Sequence, residues 1–171
     1  MDPHKTKLPF HYLKPGEMFL GENPTLVTTL LGSCVSITMY SQRFRVGAIC
    51  HGLLPSCRGK GRCDCTESFR YVDCSIRQMM GGFHQLGIVR EEIEVKVFGG
   101  SDMFSSDEKT GISIAVGTQN VEMALKVIER EGLRLLVSDV GGSRGRKIFF
   151  YTHTGEVLLK RLNETDGVAF D

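Results

Sequence analysis

The stretch from Val35 to Cys50 (VSITMYSQRFRVGAIC) decides the fold that the sequence predicts. Residues 35–39 and 44–50 each alternate between the two faces of a strand, as half-buried strands do. A short polar connection at residues 41–43 separates them, which is typical of a β-hairpin. With Gln42-Arg43 as a two-residue loop, one face of the hairpin is apolar throughout. On that face the predicted register places Val35 opposite Cys50, Ile37 opposite Ala48 and Met39 opposite Val46.

The other face of this hairpin carries a pair of reactive side chains. In the same register Cys34 lies opposite His51, and directly opposed residues have Cβ atoms about 4.5–5.5 Å apart. A histidine within reach of a thiol helps to form the thiolate, which is the nucleophile. The backbone N–H of Cys34, together with Ser33, could stabilise an oxyanion. The alternative is that Cys34 is a small buried hydrophobic residue, which is the usual role of a strand cysteine.

The remaining patterns predict an α+β fold, with mixed or antiparallel β-sheets packed with two main helices in a single domain. The strands do not alternate strictly with helices, which argues against a doubly wound parallel sheet. Apolar spacing predicts helices over residues 68–86 and 120–131, ended by Gly87 and Gly132, with Asn120 as an N-cap. The predicted strands are residues 94–98, 112–116 and 133–140, and a closing hairpin of residues 147–153 and 156–162.

Length and composition predict one soluble domain over residues 1–171. We expect residues 1–16 to be an N-terminal extension and residues 56–67 to be a surface insertion loop. The 21 basic and 20 acidic residues give a net charge of +1, so the charge balance does not favour nucleic acid as a partner. No apolar run approaches the roughly 20 residues of a membrane span, and no secretory signal is visible, so the cytoplasm is expected.

Six cysteines are many for a chain of this kind, and they leave an alternative function open. Cys57, Cys63 and Cys65 lie within the insertion loop. With Cys74 and either His51 or His84 they could bind zinc in a non-catalytic, partner-docking module. Their spacing lacks the Cys-x2-Cys pair of common zinc sites, so no metal and no cofactor is expected. Alkylation by iodoacetamide distinguishes the two functions. In an enzyme it would label Cys34 first, whereas in a zinc module the cysteines would be labelled only after a chelator had removed the metal.

Several motifs together resemble one family, the bacterial chemoreceptor glutamine deamidases or CheD family. The residues around the reactive pair read Thr28-Thr-Leu-Leu-Gly-Ser-Cys34-Val and Gly47-Ala-Ile-Cys-His51-Gly-Leu-Leu-Pro55. The resemblance continues over about residues 17–162. It includes Lys96-Val-Phe-Gly-Gly-Ser-Asp-Met103, Asn120 with Glu122, Asp139-Val-Gly-Gly-Ser-Arg-Gly-Arg146 and Thr154-Gly155.

The resemblance implies a fold, a site and partners. It implies Cys34 as nucleophile, His51 as its partner and Thr28 as the third site residue that orients His51, with Thr29 as the alternative. The implied reaction converts receptor glutamine to glutamate through a thioester, and the same site could hydrolyse a glutamyl methyl ester. The implied fold is a layered α/β/β/α arrangement. The implied partners are the cytoplasmic helices of chemoreceptors and a CheC-type phosphatase.

Overall fold

Nine strands and two helices make up the part of the chain that the computed structural model describes, which is Lys5 and residues 7–57, 68–102 and 115–163. The strands are β1 (Phe10–Tyr12), β2 (Met18–Gly21), β3 (Leu26–Leu31), β4 (Val35–Ser41), β5 (Val46–Gly52), β6 (Glu94–Gly99), β7 (Arg134–Val140), β8 (Arg146–Tyr151) and β9 (Val157–Arg161). The helices are α1 (Val72–Gln85) and α2 (Val116–Arg130). No helix in these ranges is long and apolar enough to cross a membrane.

The strands form two mixed sheets, which confirms the predicted α+β class. One sheet has the order β1-β3-β8-β9 and the other the order β2-β5-β4-β6-β7. One hydrophobic cluster lies between the two sheets, and a larger one joins both helices to the five-stranded sheet. Both helices lie on the same face of that sheet, because their buried residues share one cluster with it. Within the described residues the layer order is therefore α/β/β, without the fourth, helical layer that the resemblance implies.

The central hairpin forms as predicted, but its register and its loop differ. Ser41 pairs with Val46, so residues 42–45 form the loop, and Arg45 adopts a positive φ of 54°. Ile37 consequently faces Cys50, and Met39 faces Ala48. The predicted two-residue loop was wrong because the longer turn moves each pairing along by two residues. A shift of two leaves every side chain on its predicted face, so the buried face is the predicted one.

The two predicted helices are present with different starting points. A short 3₁₀ turn covers Ser68–Arg70, and α1 begins after it, whereas α2 begins at Val116 and so places Asn120 in its second turn. The prediction of Asn120 as an N-cap was wrong, and so was the assignment of Val116 to a strand; residues 112–114 lie outside the described residues. Gly87 and Gly132 follow the helices with φ values of 80° and 66°, as expected of glycines that end helices.

The first three strands have no counterpart in the sequence-based prediction. β1 pairs in parallel with β3, and the next residue, Leu13, is fully buried in the cluster between the sheets. Residues 10–13 of the expected N-terminal extension therefore belong to the four-stranded sheet and to the cluster between the sheets. The later strands β6 to β9 lie within one or two residues of their predicted bounds.

Candidate functional site

The segment that carries Cys34 is a tight loop between β3 and β4, held through its carbonyl groups. The N–H of Gly100 donates to the carbonyl of Cys34 over 2.8 Å, and the N–H of Ser101 donates to the carbonyl of Gly32 over 2.9 Å. A Cβ atom at Gly99 would collide with the Cys34 carbonyl oxygen, so glycine is required for this close approach. Ser33 is exposed and Cys34 is half-buried, so this loop is partly accessible from solvent.

His51 lies on β5, an interior strand of the five-stranded sheet, and faces the space between the sheets. Its own N–H donates to Glu17 over 3.0 Å, and the N–H of Gly16 donates to its carbonyl over 2.8 Å. On the other side β4 pairs with it at Ser36. The side chain is only 2% exposed. Strand pairing on both sides therefore fixes the position of this imidazole.

The protonation of the His51 ring follows from its partner Thr29. The Thr29 hydroxyl donates its single proton to the carbonyl of Leu13 over 2.8 Å. The same oxygen lies 2.7 Å from Nδ1 of His51, and it can then act only as an acceptor there. The imidazole is thereby fixed as the tautomer with the proton on Nδ1. Its Nε2 is buried, meets no hydrogen-bond partner among the described residues, and carries a free lone pair.

Thr28 does not make the contact expected of it. Its hydroxyl donates to the carbonyl of Ile148 over 2.8 Å, within the four-stranded sheet. Neighbouring residues of a strand point to opposite faces, so only one of the two threonines can face the space between the sheets. That residue is Thr29, and the hydrogen bond to His51 that was expected from Thr28 is made by Thr29 instead.

Cys34 and His51 lie on the same face but are not directly opposed. The residue paired with His51 is Ser36, which leaves Cys34 on the diagonal. Diagonal neighbours have Cα atoms about 7–8 Å apart, and their side chains can still meet. The predicted direct opposition was wrong for the same reason as the hairpin register. Both residues keep their predicted face, and their joint action in one site stays a prediction.

Both groups of the pair are held in their neutral forms. Burial raises the pKa of the Cys34 thiol above its ordinary value, and a hydrogen bond from the Cys34 backbone N–H to the sulfur offsets part of this rise. Burial lowers the pKa of His51 from 6.5 to about 4, against a smaller opposing influence of the Glu17 carboxylate. At neutral pH the site therefore holds a thiol and a free imidazole base, and no preformed ion pair.

The depressed pKa of His51 predicts a specific loss of stability in acid. Between pH 6.5 and 4 the unfolded chain binds a proton at this residue that the folded chain does not, so the free energy of unfolding falls as the pH falls. The contribution is up to about 1.4 kcal/mol per pH unit, and it is constant above pH 6.5. Urea unfolding at a series of pH values should show this slope in the wild type and a shallower one in His51→Gln. Equal slopes in the two proteins would contradict the buried neutral imidazole.

Among the other described cysteines, Cys57 is half-buried like Cys34, whereas two are inaccessible. Cys50 and Cys74 are buried, and burial raises their pKa values to about 12 and about 11. The described ranges contain no group of three or more potential metal ligands. Cys63 and Cys65, and with them most of the predicted insertion loop, lie outside the described residues.

One residue of the site, Asn120, was assigned the wrong role from the sequence. It is fully buried, and its Nδ2 donates over 3.0 Å to the carbonyls of Ser33 and Leu53. The sequence does hold a signal for this, because Asn120 stands on the same helical stripe as Ala124 and Ile128. A polar side chain on a buried stripe has to find a partner inside the protein.

A half-buried cysteine and a neutral histidine on one face of the hairpin are the residue types that cysteine-dependent hydrolases use. The comparisons with known proteins narrow this class. A family model described as CheD chemotactic sensory transduction matches residues 53–161, and the chain belongs to this CheD family.

Relatives of similar length support this membership. A probable chemoreceptor glutamine deamidase CheD 2 of Geobacter sulfurreducens is 52% identical over 97% of this chain and 98% of its own. A probable chemoreceptor glutamine deamidase CheD of Maridesulfovibrio salexigens is 41% identical over 90% and 92%. Among solved structures, Neisseria meningitidis protein NMB0706, family-model DUF152, has a TM-score of 0.49 and 12% identity over 80% of this chain and 65% of its own.

Proposed function

We propose that this chain is a single-domain protein-glutamine deamidase that acts on chemoreceptors. The support is twofold: the family and the description of its relatives, and the geometry of the pair Cys34 and His51. The observation that carries the proposal is the hydrogen bond of 2.7 Å between Thr29 and Nδ1 of His51. Because this bond leaves Nε2 as the unprotonated nitrogen, His51 can accept the proton of a nucleophile.

In the first half of the reaction the sulfur of Cys34 attacks the side-chain amide carbon of a glutamine. His51 removes the thiol proton through Nε2 as the carbon–sulfur bond forms, and the carbonyl oxygen becomes an oxyanion. The tetrahedral adduct then collapses, and the imidazolium gives its proton to the leaving nitrogen, which departs as ammonia. The product of this half is a thioester between Cys34 and the former glutamine side chain.

In the second half water replaces the thiol. His51, neutral again, takes a proton from the water as its oxygen attacks the thioester carbon. Collapse of the second adduct breaks the carbon–sulfur bond, and the proton returns to the sulfur. The substrate leaves as glutamic acid, which loses its proton to the released ammonia, so the side chain gains one negative charge. Since the reacting glutamines are those of receptor cytoplasmic helices, we place the enzyme in the cytoplasm.

The direct test is incubation of the purified protein with cytoplasmic receptor fragments. Mass spectrometry of peptides should show glutamine converted to glutamate at defined positions, with one ammonia released for each conversion. A fragment carrying alanine at the modified positions is the control. A receptor fragment whose glutamines are all unchanged after long incubation with folded protein would refute the proposal.

The two adjacent threonines allow a matched test of the orienting hydrogen bond. Thr29→Val removes the acceptor for Nδ1–H of His51 and keeps the shape of the side chain. General-base catalysis contributes about 10²–10⁴-fold, so loss of the bond that orients the base should lower kcat by about 10–100-fold. Thr28→Val, which removes an equally buried hydroxyl from the same strand, should retain the wild-type rate. An equal loss in both variants of the deamidation assay would contradict the role of Thr29.

The proposed protein partner is a CheC-type phosphatase, and it rests on the family resemblance. A phosphatase that covers the accessible loop around Ser33 and Cys34 would compete with the receptor. Addition of the phosphatase from the same host should therefore slow deamidation of the receptor fragment. Unchanged rates at micromolar phosphatase would remove this partner from the proposal.

A further inference from the structure

A side chain of α2 joins the two segments that carry the reactive pair. Asn120 is fully buried, and its Nδ2 lies 3.0 Å from the carbonyl oxygen of Ser33 and 3.0 Å from that of Leu53. Ser33 immediately precedes Cys34, and Leu53 follows His51 by two residues. Both partners are acceptors, so the amide nitrogen has to face them and the orientation of the Asn120 amide is fixed.

The contact with Ser33 also sets the direction of the next N–H group. The carbonyl of Ser33 and the N–H of Cys34 belong to one peptide group, which is planar and trans, so they point in opposite directions. With the carbonyl turned towards Asn120, the N–H of Cys34 has to point away from α2. This N–H belongs to the residue that carries the reacting sulfur, so it lies beside the atom that attacks the substrate.

We infer that Asn120 is a positioning residue that aims the backbone N–H of Cys34 at the oxyanion of the tetrahedral adduct. The inference rests on the proposed function, because it assigns an oxyanion donor to the same site. In the adduct the oxyanion is bonded to the carbon that the sulfur attacks, so a donor beside the sulfur lies next to it. Without Asn120 the Ser33–Cys34 peptide group could rotate, and the donor would no longer be preorganised.

The neighbouring contacts explain why this peptide group depends on Asn120. The carbonyl of Gly32 accepts two hydrogen bonds from Ser101, and that of Cys34 accepts one from Gly100. Both therefore have partners on the segment that follows β6. Within the described residues, the Ser33 carbonyl receives its hydrogen bond from Asn120. Removal of the Asn120 side-chain amide therefore frees the Ser33–Cys34 peptide group, while the carbonyls of Gly32 and Cys34 stay held.

The test compares Asn120→Ala and Asn120→Ser with the structural control Ser75→Ala. Ser75 is also fully buried on a helix, and its hydroxyl lies within hydrogen-bonding distance of two backbone carbonyls, those of Phe69 and Tyr71. An oxyanion forms only after substrate binding, so the Asn120 variants should lose roughly 10²-fold in kcat with little change in KM. Ser75→Ala should lose stability to thermal unfolding but keep its kcat.

Two reagents distinguish the loss of an oxyanion donor from a general change in the reactivity of Cys34. Alkylation of Cys34 by iodoacetamide displaces iodide and forms no oxyanion, so the Asn120 variants should be alkylated at the wild-type rate. Acylation of Cys34 by p-nitrophenyl acetate does form an oxyanion, and it should slow in parallel with deamidation. Mass spectrometry of the Cys34 peptide measures both reactions.

Each remaining outcome decides the inference. Wild-type acylation and deamidation rates in folded Asn120→Ala would overturn it, as would equal slowing of acylation and alkylation. If both Asn120 variants failed to fold while Ser75→Ala folded, the residue would be structural and the inference would fall. A wild-type protein that is acylated by p-nitrophenyl acetate but leaves receptor glutamines intact would refute the proposed function alone.

Discussion

Replacement of Cys34 by alanine is expected to reduce glutamine deamidation to the uncatalysed background. The substitution removes the sulfur that forms the proposed thioester, so the proposed pathway is closed. The fold should be retained, because the side chain is half-buried and loss of one sulfur costs about 1 kcal/mol. The measurement is conversion of receptor glutamine to glutamate by mass spectrometry, with circular dichroism to confirm the fold.

Cys50 provides the matched control for this experiment. It is adjacent to His51 in sequence, but its side chain lies in the cluster between the helices and the five-stranded sheet. Burial raises the pKa of this thiol to about 12, so it is a neutral core residue at neutral pH. Cys50→Ala should therefore be less stable but active. If Cys34→Ala converted glutamine and Cys50→Ala did not, the nucleophile assignment would be wrong.

Replacement of His51 by glutamine should be nearly as severe, with a loss of about 10²–10⁴-fold in kcat. Glutamine is uncharged and suits the buried site, but it cannot accept the thiol proton. The pH dependence should change as well. The wild-type rate should be level across neutral pH, because His51 is a free base above about pH 4. The variant depends on spontaneous thiolate formation, and its rate should rise with pH up to the raised pKa of Cys34.

Two further variants check this assignment of the base. His84 is exposed in the last turn of α1. It contributes nothing to the buried face that carries His51, so His84→Gln should leave the rate unchanged. The double variant of Cys34→Ala and His51→Gln should be no less active than Cys34→Ala alone, because residues that act as a unit are not additive. A His51→Gln rate that stays level with pH at the wild-type value would exclude His51 as the base.

The candidate site was found from the sequence only in part. Cys34, the two threonines and Asn120 show why. Cys34 and His51 could be placed on one face because strand alternation depends on sequence position alone. The choice between Thr28 and Thr29 could not be made in that way. It depends on which face of β3 meets β5 across the space between two sheets, and no local pattern records that contact. Asn120 was missed for the same reason, since its partners lie 87 and 67 residues away in the chain.

The sequence by itself determined the α+β class, the central hairpin with its buried face, both helices and the family. These features depend on periodicity and on motifs, which are local properties of the chain. The tertiary structure decided the hairpin register, the tautomer of His51 and the orientation of the Ser33–Cys34 peptide group. The register was open because a shift of two residues preserves both faces of a strand. The tautomer and the peptide orientation were open because each is fixed by one hydrogen bond from a distant element, Thr29 on β3 and Asn120 on α2.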